Sequence, residues 1–250
     1  MAKNEVAKKE ETLPAAVIDM QNYAGGGFEE ADSEAYAIPF LTILQSGSPQ
    51  CKKSDGAYIK GAEEGMFYNT VTEELFERCL IIPVAYKRQI LEWRPRDEGG
   101  GLVGIHEPGN EPKAERNDDG YLITAEGTTL KDTRMHYCIQ VTPDGGTMPV
   151  VISMSSTQIK KSRKLMTILS NLKMEGPNGA FKPPMFASIF EVSSVAESND
   201  SGSWMGWGFN RLGWVEDEAL FNEAKSFYEL IKTDGVKVAE NSVKGDEDGF

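Results

Sequence analysis

The chain has 250 residues, 40% of them hydrophobic and 9% aromatic, enough to bury a sizeable core in one large domain or two small ones. Three widely spaced cysteines and two histidines argue against a disulfide scaffold and against a zinc site. The first residues, Met1-Ala2-Lys3-Asn4-Glu5, form no apolar signal segment, and no run is long enough to span a membrane, so a cytoplasmic protein without a membrane partner is expected.

The net charge of −13 is unevenly spread. Residues 1–36 carry 3 basic and 8 acidic side chains, and residues 216–250 carry 4 and 10, which leaves 19 and 21 for residues 37–215. The acid therefore sits at the ends of a nearly neutral middle. In such a middle, local cationic stripes decide whether an anionic partner binds.

Residues 1–36 read as a flexible acidic leader, with Gly25-Gly26-Gly27 unsuited to helix or strand. Order is expected from about Ile38 to Leu44, followed by a turn at Ser46-Gly47-Ser48-Pro49 and a short strand over Gly65–Asn69. Leu80 to Trp93 is a long β-prone run with Pro83 near its start. Leu102 to Ile105 reads as a short strand and residues 106–120 as a surface loop. Met135–Val141 and Met148–Met154 flank a hairpin signal at Thr142-Pro143-Asp144-Gly145-Gly146-Thr147. Ser155-Ser156-Thr157 offers N-caps for an amphipathic helix running to about Met174, which Gly176-Pro177-Asn178-Gly179 would stop. Strands return over Met185–Ala196 and Trp204–Trp214, and a last helix covers about Glu216 to Lys232.

This order predicts a mainly β protein with helices (α+β). Its expected core, residues 37–215, is a five-stranded barrel like the OB fold, with a helix between strands 3 and 4. A C-terminal helix over 216–235 and a disordered acidic tail over 236–250 would follow. A different mixed β-sandwich is the rival architecture.

No P-loop, GxSxG or HExxH pattern occurs, and His106 and His136 lie on separate elements. No enzymatic activity, catalytic residue, metal or cofactor is expected. Three segments read instead as binding surface. In Tyr86-Lys87-Arg88-Gln89-Ile90-Leu91-Glu92-Trp93-Arg94-Pro95-Arg96, strand alternation puts Lys87, Gln89, Leu91 and Trp93 on one face. Tyr86, Arg88, Ile90 and Arg94 take the other. Both faces mix cations with aromatics, the combination that tracks phosphates and stacks on unpaired bases. The alternative is that the rings are core and the cations guard an edge. In the helix, Lys160, Lys161, Arg163 and Lys164 fill the first two turns without an acid, against the macrodipole, which points to an anionic partner or else to a solvated face. In Trp204-Met205-Gly206-Trp207-Gly208-Phe209, most aromatics are expected in the core, with Trp204 or Trp207 left for stacking.

The chain ends in Lys244-Gly245-Asp246-Glu247-Asp248-Gly249-Phe250. An acidic tail closing on phenylalanine resembles the tails of bacterial and bacteriophage single-stranded-DNA-binding proteins, and the strand order is similar to their OB core. Ile38 to Gly101, with Trp93-Arg94-Pro95-Arg96 before the glycines, also resembles proteins of tailed phages. The sequence departs from the bacterial type in its short acidic run and in Gly249, which stands where a proline is usual. The resemblance implies sequence-nonspecific binding of single-stranded DNA in phage replication, recombination and repair, in the host cytoplasm. Tyr86, Lys87, Arg88, Trp93, Arg94, Arg96, Lys160, Lys161, Arg163, Lys164, Trp204 and Trp207 would contact DNA. Asp246, Glu247, Asp248 and Phe250 would recruit replication proteins such as a polymerase or helicase-primase, and the tail would compete with DNA for the groove. A homodimer is allowed. The alternatives are a phage structural or host-interaction protein without a nucleic-acid role, and a single-strand annealing factor.

Overall fold

The computed structural model describes residues 26–27, 37–95, 98–142, 145–200 and 202–233. The leader apart from residues 26–27, Arg96 and the tail residues Asp246, Glu247, Asp248 and Phe250 lie outside them. The described residues form a mainly β structure with two α-helices. Its strands are β1 (Leu41–Ile43), β2 (Phe67–Asn69), β3 (Leu75–Phe76), β4 (Cys79–Trp93), β5 (Leu102–His106), β6 (Ala114–Arg116), β7 (Leu122–Thr124), β8 (Thr129–Val141) and β9 (Thr147–Ser155). Helix α1 (Ile159–Asn171) follows, then β10 (Met174–Gly176), β11 (Gly179–Phe181), β12 (Ser188–Asn199), β13 (Gly202–Trp214) and helix α2 (Glu218–Lys232). No helix among the described residues is long and apolar enough to cross a membrane.

One long antiparallel ladder organises the molecule. β4 pairs with β8 from Leu80↔Val141 to Trp93↔Thr129. At the Cys79 end the sheet runs β13-β12-β4-β8-β9, and at the Trp93 end β5 and β7 flank the same two strands. The first of these ends curls into a half-barrel. β1 bridges to β9 in parallel through Phe40 and Val151, and the Gln45 side chain just beyond β1 reaches β13. The curl thus brings the two edges of the sheet to either side of β1.

Each face of the curled sheet buries its own core. Inside lie Ile81, Cys138, Ile152, Phe190 and Trp207, closed by Leu165 and Leu169 of α1. Outside lie Ile82, Val84, Leu91, Trp93, Met135 and Tyr137, covered by Ala224, Phe227 and Ile231 of α2. Strict alternation cannot put Ile82 and Leu91 on the same face. A bulge between Pro83 and Ala85 inserts one residue and re-phases the strand. Proline fits there because it has no N–H for the ladder. Helix α2 starts cleanly because the Asp217 carboxylate accepts from the Leu220 N–H at 2.9 Å.

The structure departs from the sequence expectation in several places. The hydroxyls expected as N-caps make no capping hydrogen bond. Ser156–Gln158 forms a 3₁₀ turn and α1 begins only at Ile159. α1 ends at Asn171, and Gly176-Pro177-Asn178-Gly179, expected as a helix stop, is the turn of the β10–β11 hairpin. β8 starts six residues ahead of Met135, because its polar first half pairs with β4 instead of packing. The loop expected over 106–120 contains β6.

Candidate functional site

The candidate surface is built around the start of α1. Ser162, Leu165 and Leu169 are its buried face. With 3.6 residues per turn, this turns Lys160 and Lys164 away from the core and puts Lys161 and Arg163 on the flanks. Arg163 and Lys164 are exposed, and neither has an ion-pair partner among the described residues.

Lys160 and Lys161 converge on Glu197 of β12, with Nζ–Oε1 distances of 3.4 and 2.7 Å. Glu197 also accepts from Gln158 Nε2 at 3.3 Å and from the Trp204 indole N–H at 3.2 Å. Burial works against its charge, but the hydrogen bonds and the two ammonium groups outweigh it and hold the carboxyl below its usual range. The backbone of β13 must approach closely for this to form. A Cβ at Gly206 would stand 2.5 Å from Glu197 Oε2 and 3.1 Å from Gln158 Nε2.

Glutamine side chains cover part of the other edge of β13. Gln45 accepts from the Met205 N–H at 2.8 Å and donates to the Met205 carbonyl at 3.0 Å, imitating a paired strand. The Trp207 N–H donates to Gln158 Oε1 at 3.1 Å. Sheet edges handled in this way are blocked from pairing with other chains. Between β1, the end of β9 and β13 remains a pocket of about 70 Å³, lined by Ser153, Ser155, Thr157, Trp204, Met205 and Trp207 together with the two glutamines and Ile43.

The β4 segment joins this surface through its inner face. The Tyr86 ring lies 5.2 Å from that of His136, whose Nε2 is 2.8 Å from Ser162 Oγ of α1. His136 is wholly buried, and burial pushes its pKa down to about 3, so the ring is neutral. Two residues on, Arg88 forms a bidentate pair with Asp132 at 3.0 and 2.9 Å, and Arg134 binds the same carboxylate. Arg134 pairs with Met154 and Thr133 with Ser155, so this cluster adjoins the turn that leads into α1. Contacts thus run from Tyr86 through His136 to Ser162 of α1, and from Lys160 and Lys161 through Glu197 to Trp204.

Other expected residues fall elsewhere. Trp93 is 6% exposed and belongs to the outer core, and Trp204 and Trp207 are each 5% exposed. Trp207 stacks on Phe67 at 5.4 Å. Burial keeps these rings from offering an open face to a base, although Trp204 and Trp207 line the pocket. Lys87 lies on the opposite strand face from Tyr86, paired with Met135 of the outer core. Arg94 is exposed at the far end of β4. His106, expected in a loop, ends β5 and bonds to the buried Glu92 at 2.8 Å; Thr128 holds that carboxylate from its other side. Sequence reading missed Asp132, Glu197, Gln45 and Gln158. A lone acid on a strand facing a cationic helix was the available signal for Glu197. The glutamines carry none. No group of three or more His, Cys, Asp or Glu among the described residues could hold a metal ion.

These features define a mainly β protein with a curled antiparallel sheet and a cation-rich helix start. Over residues 8–237 the chain matches the model of the Pam3 phage gp34-like protein family. It belongs to that family and is a phage protein, as the resemblance to phage proteins implied. No curated protein and no solved structure matches it.

Proposed function

We propose that this phage protein binds single-stranded DNA without base specificity, with the strand crossing the N-terminal half of α1. One observation carries the reading. The strands of the curled sheet follow the chain order β4-β8-β9-α1-β12-β13, and the fourth of these five lies beside the first. With β5, β6 and β7 set aside, this order is similar to that of an OB-fold barrel, a scaffold that holds oligonucleotides with its central strands and with the loops after strands 1 and 4. β1 fills the gap between β9 and β13, and residues 37–215 make up the barrel domain. The charge supports the reading: Arg88 and Arg134 share Asp132, Lys160 and Lys161 share Glu197, and Arg163 and Lys164 have no ion-pair partner among the described residues. α2 covers the outer face of β4, β8 and β9. α1 covers the inner face in the same way, so the strand would cross the exposed side of α1, where Arg163 and Lys164 lie. The role is binding rather than catalysis, in replication, recombination or repair, with the acidic tail recruiting partner proteins and competing for the cations.

Fluorescence anisotropy with a labelled oligo-dT strand at about 50 and about 200 mM salt tests this. Binding at the lower salt that weakens steeply at the higher is expected. No binding at the lower salt would leave the phage structural or host-interaction reading, which the buried tryptophans and the α2 cover favour.

A further inference from the structure

We propose that the pocket between β1 and β13 receives one unpaired base of the bound strand. This rests on the single-strand reading above and gives its surface a point of attachment for a base. The pocket measures about 70 Å³. A water needs about 10–15 Å³ of such space, so on the order of five waters fit, close to the bulk of a single-ring base.

Its walls match both sides of a nucleobase. Met205 supplies thioether surface, and the small exposed edges of the buried Trp204 and Trp207 complete the apolar wall. Ser153, Ser155 and Thr157 follow at every second position from the end of β9, and all three line the pocket. Hydroxyls donate or accept as needed, so they can meet the polar edge of any base of the right size without imposing a pattern. The two glutamines are already bonded to the β13 backbone and act as fixed wall. Phosphate contact is close by. Gln158 of the wall and Trp204 both bind the Glu197 carboxylate, which also holds Lys160 and Lys161. A nucleotide with its base in the pocket therefore has two ammonium groups within reach of its backbone. The binding would be indifferent to sequence but would favour single-ring over double-ring bases.

The test compares oligo-dT with an abasic strand of equal length, using the full chain at about 50 mM salt. Oligo-dT should bind at least about 5-fold more tightly, the lower end of the worth of one held base, and should alone change the tryptophan emission. Ser155→Leu, which fills the pocket, should bring oligo-dT down to the abasic level. If both strands bind equally and with salt sensitivity, the pocket inference fails and the single-strand reading stands. If neither strand binds, both fail. An arm without any variant compares oligo-dT with oligo-dA on the unaltered protein: tighter binding of oligo-dA would overturn the single-ring assignment.

Discussion

Glu197 draws two lysines, a tryptophan and a glutamine around one carboxylate, and Gly206 is the residue that makes room for it. Gly206→Ala would drive a methyl group into that carboxylate. The flexible Glu197 side chain can retreat by loosening its hydrogen bonds, so the variant should lose about 0.5–1.5 kcal/mol in urea unfolding. A change below about 0.5 kcal/mol would mean that the cluster is not coupled to the β13 backbone. His136 gives a second test at this scale. Its folded pKa, about 3, lies below the ordinary 6.5. Between those values the unfolded chain takes up a proton that the native fold excludes. Stability should therefore fall as pH drops from 6.5 towards 3, by up to about 1.4 kcal/mol per pH unit. His136→Gln should flatten the slope between pH 6.5 and about 5, above the range where most carboxylates titrate. An unchanged slope would show that another group sets it.

At the scale of elements, periodicity explains what the sequence disclosed. β4, β9 and β13 are long and apolar enough to be read directly, and the β8–β9 hairpin announced itself through its turn residues. β3, β6, β7, β10 and β11 have two or three residues each and are too short to carry a period. The first half of β8, Thr129 to Arg134, is mostly polar, with Asp132 meeting Arg88, and its strand character comes from its ladder with β4 rather than from an apolar period. The candidate site divides in the same way. Its cations were visible as local clusters, but their partners Asp132 and Glu197 come from distant strands that only the fold brings near. The helices differ in how they begin. α1 has no side-chain cap, whereas α2 is capped by Asp217. Asp217→Ala should therefore cost about 1 kcal/mol of stability, read as a lower midpoint in thermal unfolding. An unchanged midpoint would mean that packing of Phe227 and Ile231 alone fixes the start of α2.

At the scale of the whole molecule, charge separates the ends from the middle. Four cations fill the first turns of α1, while acid is concentrated in the first 36 and last 35 residues. Removing residues 244–250 should tighten oligo-dT binding at low salt, since Asp246, Glu247 and Asp248 no longer compete for those cations. Unchanged or weaker binding would remove the competition model and leave the tail as a partner hook. α2 adds a constraint of its own, since it occupies the outer face of β4, β8 and β9 and closes that face to a strand.

The location of the bound strand is the central claim, and the salt dependence of binding tests it most directly. Each phosphate contact on single-stranded DNA contributes about −0.7 to the slope of log affinity against log salt. Replacing Lys160, Arg163 and Lys164 with alanine should make the slope for oligo-dT shallower by about 2 and weaken binding at low salt. A slope equal to that of the unaltered protein would contradict the account and place the strand away from α1.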